Sequence, residues 1–501
     1  MHAQSSPHRN TNLACLTRSS VAIGIALLLA LVAGCGGGTG SGTGTTLKGN
    51  TTVVLLASST ANDQLFQFSV TVQSMTLTDQ SGKTVSILTA PVSDEFMHLN
   101  GRVEPLATVS IPQGVYTSAA AAISEAYPAC AGQFSGILGV DEALGGVNGP
   151  TGASIELPQP ITVTGTAMGL VLDLQVSKSA EFNGGCSESL TNAVSVTPTF
   201  SVTPLTIAAQ PTNSANGRAV GIEGLVNSVG ASGTGLNVTA LYSDNEGTAP
   251  LTWPVSLSGS TVFQGVGSAS GLSAGMPVDM DLTIQPDGSL LATRVAVYDT
   301  DASSVNIAFG PPLAVYTSGG CYNATCPVMD ALEVEQAGDL TELTGLYSIS
   351  DATFQTSGQL ANLQSLPFAA SFNAANMVDG QNVLFTTHGT PGSAVSTVAE
   401  VTLLPQTIDG TVSAIATAGG FTTYTITLAP YDLFPNLAVQ PEITPLLTDP
   451  NTVVVYADSN TQMLNSSAIS MGGVFRFYGL VFNDNGTLRM DCAQVNDGVA
   501  E

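Results

Sequence analysis

From about residue 50 onward, apolar and polar positions alternate with a period of two. Phe66-Gln-Phe68-Ser-Val70-Thr-Val72, Ser74-Met-Thr-Leu77, Ile161-Thr-Val163-Thr and Leu170-Val-Leu172-Asp-Leu174-Gln-Val176 each put their apolar side chains on one face, as half-buried strands require. Gly, Pro and Asn/Asp punctuate these runs, so the pattern predicts many short strands and an all-β chain. The Ala-rich stretch Ser118 to Tyr127 admits a helix. However, Ile111-Pro-Gln-Gly114-Val-Tyr116 leads into it as a turn and a strand, so an extended reading stands beside the helical one.

The N-terminus breaks the alternation. Arg9 and Arg18 precede an apolar run from Val21 to Val32, which ends in Leu31-Val32-Ala33-Gly34-Cys35. The apolar run is shorter than the ~20 residues a transmembrane helix needs. A basic start, a short apolar run and small residues before a cysteine make residues 1–34 a lipoprotein signal peptide. Cys35 is then the lipidated first residue, carrying an acyl chain such as palmitate. Residues 35–49 follow as a Gly/Ser/Thr tether, flexible enough to hold a domain clear of the headgroups. The expected location is the cell envelope; Gly36 in place of an acidic residue points to the outer membrane in a host with two membranes.

Charge narrows the partners. The chain holds 10 Lys+Arg against 37 Asp+Glu, a formal −27, and loss of Arg9 and Arg18 with the signal takes it to −29. The remaining cations are scattered singly, so nucleic acid is not an expected partner, because phosphate contacts need clustered Lys and Arg. The membrane is reached through lipid alone. An apolar fraction of 44% excludes disorder.

Cysteine usage fits an oxidising compartment. Cys130 and Cys186 fall in one expected domain and are expected to pair, closing a loop whose chain-entropy contribution is on the order of 4 kcal/mol. Cys321 and Cys326 are expected to close a small local ring. Cys492 is the odd one, expected as a buried free thiol.

Order and wording over residues 50–205 carry a resemblance. Thr52-Val53-Val54-Leu55-Leu56 opens the stretch, followed by Val72-Gln-Ser-Met-Thr-Leu77-Thr-Asp79, a Gly82 turn, Val85-Ser-Ile87-Leu88, Ile111-Pro112-Gln-Gly114-Val115-Tyr116 and Gly169-Leu170-Val171-Leu172-Asp173-Leu174. This resembles the DUF4382 domain of bacterial lipoproteins, which implies a β-sandwich and brings no catalytic residues. Downstream, Ile222-Glu-Gly224-Leu-Val-Asn-Ser-Val229, Leu343-Thr-Gly345-Leu-Tyr-Ser-Ile349 and Ile408-Asp-Gly410-Thr-Val-Ser-Ala-Ile415 each open a repeat unit. Each continues to a Gly-containing turn and a closing strand, with Asp287-Gly288 and Asn485-Gly486 as hairpin turns. The units resemble DUF5666 repeats, which implies small OB/SH3-like β-barrels. The expected domains are therefore a sandwich at 50–205, barrels at 218–300, 339–404 and 405–501, and a linker with a Cys pair at 301–338.

Candidate chemistry is sparse, and no catalytic, cofactor-binding or metal-ligating residue is expected. Gly271-Leu-Ser273-Ala-Gly275 fits G-x-S-x-G but lacks the strand-turn-helix setting of a nucleophile elbow. The mature chain has two histidines, His98 and His388, each standing among apolar or small residues, and one Cys-x4-Cys without a second pair, which is poor ground for a zinc site. Asp279-Met-Asp281, Asp299-Thr-Asp301 and Asn483-Asp-Asn485 space oxygen ligands two apart, but turns and solvation explain them better than calcium. Trp253, the single tryptophan, precedes Pro254 and is the one aromatic expected at an exposed loop as a ligand contact. The expected function is a non-catalytic binding or adhesion module for a glycan or envelope protein, with a structural spacer as the alternative.

Overall fold

The computed structural model describes residues 47–501 apart from 61–64, 66, 101, 135–136, 143–146, 182–194, 244–248, 302–304, 311–313, 317–327, 334–342, 361–362, 389–395, 430–431, 433, 436–446, 465–467 and 498–501. The expected signal peptide, Cys35 and most of the tether thus lie outside the described residues, as do Cys186, Cys321 and Cys326, on which both expected disulfides depend. Among the described residues no helix is long and apolar enough to cross a membrane. The chain is all-β, as the alternation predicts.

An eleven-stranded sheet forms the N-terminal domain. Its spine runs Thr84–Ser86, Gln67–Asp79, Gly114–Phe134, Val147–Glu156, Thr199–Leu205, Ala167–Leu174, Asn50–Ser59, Glu104–Pro112. Its two halves pack into one core, where Phe68, Val70, Leu77 and Ile123 from one half share a cluster with Val54, Leu56, Leu170 and Phe200 from the other. The Ala-rich stretch is strand, paired antiparallel with Gln67–Asp79 from Leu77↔Ala119 to Val70↔Ala126. Small side chains there suit a strand flanked closely on both sides. Asn50–Ser59 sits deep in the sheet, parallel to Ala167–Leu174 and antiparallel to Glu104–Pro112. Val53, Val54, Leu55 and Leu56 are all fully buried, so this strand reads as a continuous apolar run, the signature of burial on both faces.

The first barrel consists of Arg218–Val229, Gly235–Ala240, Thr252–Ser256, Pro277–Ile284 and Leu290–Val297, with Val262–Gln264 added outside. It closes where Thr252–Ser256 meets Leu290–Val297 in parallel, Val255 opposite Leu290. Closure removes the sheet edge that a chain poor in charges would struggle to guard. Gln406–Ala418, Phe421–Thr427, Thr452–Ala457, Val474–Asp484 and Thr487–Asp497 repeat this arrangement, closing with Val453 opposite Leu488. Asn485 and Gly486 both have positive φ between the paired residues Asp484 and Thr487, the two-residue turn that Asn-Gly favours.

The repeat glycine has a steric reason. A Cβ on Gly224 would lie 2.5 Å from the Thr239 carbonyl oxygen and 2.5 Å from Val238 Cγ1; on Gly410 it would lie 2.6 Å from Ile426 Cγ2 and 2.8 Å from the Thr427 carbonyl. Register identifies the same position in the middle barrel. Gly224 faces Val278 and Gly410 faces Phe475, and Gly310 faces Val383. The middle barrel therefore opens with Val305–Gly310 and Ala314–Tyr316, not at 339. Leu343–Ser348, expected to open that unit, instead holds the third place, pairing antiparallel with Val328–Glu333 and parallel with Ser396–Leu403. Val305–Gly310, Ala314–Tyr316 and Val328–Glu333 are thus barrel strands where a linker was expected; the Leu-x-Gly wording of 343–345 imitates the opening strand without its register.

Candidate functional site

Two features stand out: an uncharged cleft on the surface and a charged network inside.

The cleft, about 550 Å³, lies between the sandwich strand Glu104–Pro112 and the first barrel. Thr108, Ser228, Asn237, Ser256 and Ser289 are exposed along it, and among the described residues no acidic or basic one lines it. Its size is that of a small-ligand site. Trp253 lines it as well, but not as an exposed ring on a loop. It lies in the strand Thr252–Ser256, is 2% exposed, and donates its indole N–H to the Pro105 carbonyl at 2.7 Å. A pyramid of alternation explains the difference, since Thr252, Pro254 and Ser256 face out and Trp253 and Val255 face in. Trp253 therefore fastens the barrel to the sandwich. Tyr242, Tyr347, Tyr456 and Tyr478 are buried as well.

The network begins in the sandwich. Asp94 and Glu95 end the strand Val92–Glu95, His98 follows in the turn Met97–Leu99, and Glu104 starts the next strand. Glu95 accepts hydrogen bonds from the backbone N–H groups of Phe68, Met97 and His98 at 2.7–2.8 Å, and from His98 Nδ1 at 3.3 Å. His98 Nε2 lies 3.1 Å from Glu104 Oε2, and the ring stacks on Tyr242 of the first barrel at 4.0 Å. Burial disfavours the imidazolium, but hydrogen bonds to Glu104 and Glu95 and the charges of Glu104 and Asp94 outweigh it and lift His98 to about 10. Burial, then the Glu104 charge, pushes the Asp94 carboxyl well above its usual range.

From there the network crosses all four domains. Arg102 donates to the Gly221 carbonyl at 3.0 Å and to the Tyr478 hydroxyl of the third barrel at 3.3 Å. Tyr478 in turn donates to Gln359 Oε1 of the middle barrel at 2.8 Å, and Gln359 Nε2 donates to Asp279 of the first at 3.2 Å. Glu223 accepts from Tyr242 and Tyr298 at 2.6 and 3.1 Å; burial raises its carboxyl, partly offset by Arg102.

Asp279 and Asp281 do share one face, but Arg294 occupies it, at 2.7 and 3.0 Å. A guanidinium thus stands where calcium was considered. Asp299 accepts from the Asp301 N–H and from Thr386, and Asn483 accepts from the Gly486 N–H, so these motifs build turns and domain contacts. Ser273 lies exposed in the turn before Pro277–Ile284. Cys492 is free and buried, its thiol directed at the Gln494 carbonyl.

Residues 223–296 match DUF5666, a domain of unknown function, which agrees with the expected first repeat. No curated protein matches the chain. Among solved structures it is similar to one described as drosophila Unr CSD456, at 11% identity over 59% of this chain and 100% of that one, with a TM-score of 0.13.

Proposed function

We propose that this is a lipid-anchored cell-envelope protein, held through Cys35 in the outer membrane of a host with two membranes, that acts as a non-catalytic binding module for a neutral glycan or protein segment. One observation carries the reading: a chain of formal charge −27 leaves its cleft of about 550 Å³ free of charged residues and rims it with hydroxyls and an amide. Such a lining suits a ligand recognised by neutral hydrogen bonds. The DUF4382-like wording of residues 50–205 supports the envelope setting. Nucleic acid is not part of the proposal. Disulfides Cys130–Cys186 and Cys321–Cys326 belong to the same oxidising compartment.

A second reading, a structural spacer, draws support from the buried network that ties four domains together. A panel of neutral glycans, anionic glycans, DNA and envelope-protein extracts, applied to residues 47–501, separates the two. Binding to a neutral partner that is weakened by Asn237→Ala and blocked by Thr108→Trp supports the binding module. Tight binding to DNA or heparin-like chains overturns it, and no binding leaves the spacer.

A further inference from the structure

The Asp94, His98 and Glu104 cluster leaves two buried carboxylate oxygens, Asp94 Oδ2 and Glu104 Oε1, without a hydrogen-bond partner, a place that a cation would fill. Glu95 uses one carboxylate oxygen on the Phe68 and Met97 N–H groups and the other on the His98 N–H and Nδ1. Nδ1 must therefore donate, which turns the Nε2 lone pair of a neutral ring toward Glu104 Oε2, 3.1 Å away. Two acceptors would face each other in that neutral ring, so the pair needs a proton or another positive centre between them. A proton on Nε2 would satisfy that oxygen alone. Asp94 Oδ2 and Glu104 Oε1 would stay without a hydrogen-bond partner, in residues each only 1% exposed. The Arg102 guanidinium is turned to the His98 and Gly221 carbonyls and to Tyr478.

We propose that Asp94, His98 and Glu104 together hold a divalent transition-metal ion, Zn²⁺ or Mn²⁺. Each offers one ligand atom, and these atoms lie within 4.8 Å of one another. The 3.1 Å between His98 Nε2 and Glu104 Oε2 already matches the edge of about 3.3 Å between ligands each ~2.0 Å from a tetrahedral metal. The Asp94 ligand atom, within 4.8 Å of the other two, reaches the same distance by moving at most about 1.5 Å. The donor set, one imidazole and two carboxylates, suits these ions better than Ca²⁺ or Mg²⁺, which take oxygen ligands. The groups around these three also suit a bound ion. Glu95 orients the imidazole through Nδ1, the carboxylate-histidine-metal relay that fixes a ligand ring, and the Glu95 N–H holds the other oxygen of Asp94 at 3.1 Å. Because Tyr242 of the first barrel stacks on the liganded ring, the ion would brace the contact between the sandwich and that barrel.

The test uses the purified full chain. Elemental analysis of protein prepared without chelators is expected to give about one equivalent of zinc or manganese. Chelator treatment should lower Tm, and Zn²⁺ or Mn²⁺ alone should restore it. Asp94→Asn, nearly the same shape, and His98→Gln should each weaken metal affinity at least tenfold and abolish the metal-dependent rise in Tm. Co²⁺ added to stripped wild-type protein should give a visible d–d band, a readout that depends on no variant folding. Wild-type protein that binds neither ion and shows no Tm response overturns the proposal, as does binding restricted to Ca²⁺ or Mg²⁺, or full retention of metal in folded Asp94→Asn.

Discussion

The guanidinium of Arg102 lies 5.2 Å from the ring centroid of Tyr478 and donates to its hydroxyl at 3.3 Å. The two residues belong to the first and last domains of the chain. Their contact closes a polar path whose middle members, Gln359 and Asp279, come from the two barrels between.

Tyr478→Phe should therefore be costly for a loss of one oxygen. It strips Gln359 Oε1 of its donor and Arg102 of one acceptor while leaving the ring in place. Leaving a buried polar group unpaired costs about 1–3 kcal/mol, and urea unfolding should show that loss. A change within a few tenths of a kcal/mol would mean the path contributes nothing to the joining of the domains.

The repeat glycines make a matched comparison. Gly224→Ala and Gly410→Ala each force a methyl onto a facing backbone carbonyl closer than 3 Å, and each should cost about 1–3 kcal/mol through overpacking. Gly152→Ala meets nothing within 4 Å and should be close to neutral. Equal effects at all three positions would contradict the steric account of the motif.

Acid should stabilise at two carboxyls. Burial, opposed by Arg476 and by hydrogen bonds from Ser58 and Gln175, raises Asp173 to about 6; burial together with the Asp458 carboxylate raises Asp491 to about 6. Both start from 3.8, so the folded chain binds more protons between those values. Their favourable contribution is complete below 3.8 and is lost as pH rises through about 6. Asp491→Asn should flatten the pH dependence of stability between about 4 and 6 and raise stability at pH 7; denaturant titration across that range checks both. A variant whose profile steepens there would reverse the sign.

Cys35 should carry acyl mass and begin the native chain. Intact mass of membrane-extracted protein decides it, and Cys35→Ser should yield soluble or uncleaved protein. Non-reducing peptide mapping of the same material should recover Cys130 with Cys186 and Cys321 with Cys326. Free thiols at all four would remove the disulfides from the account.

Alternation exposed the strands because its signal is local: each strand shows one face to a core and the residues say so. The first and third barrels were legible for the same reason, with Gly224 and Gly410 fixed by contacts across one hairpin, to Val238 and Thr239 and to Ile426 and Thr427. The middle barrel was misplaced because its opening glycine, Gly310, is followed by Pro311-Pro312 and lost its apolar frame, while Gly345 sits in similar words. Trp253 was misjudged since a Pro on the outward face of a strand looks like a loop. His98 was passed over, although Asp94, Glu95 and Glu104 stand within six residues of it; strand geometry, not spacing, turns them toward one point. The Arg102–Tyr478 contact left no trace in the sequence, for nothing local relates residues 376 positions apart.

Asn50–Ser59, buried between two neighbours, also determines how the fold bears load. Its ladder runs from Thr52 to Ser59 on one side and from Asn50 to Ala57 on the other. A pull applied at Gly49 acts along this strand, so its hydrogen bonds are sheared together instead of being peeled one after another. A pull drawn through the chain's N-terminal side thus loads Asn50–Ser59 lengthwise, against both of its ladders at once.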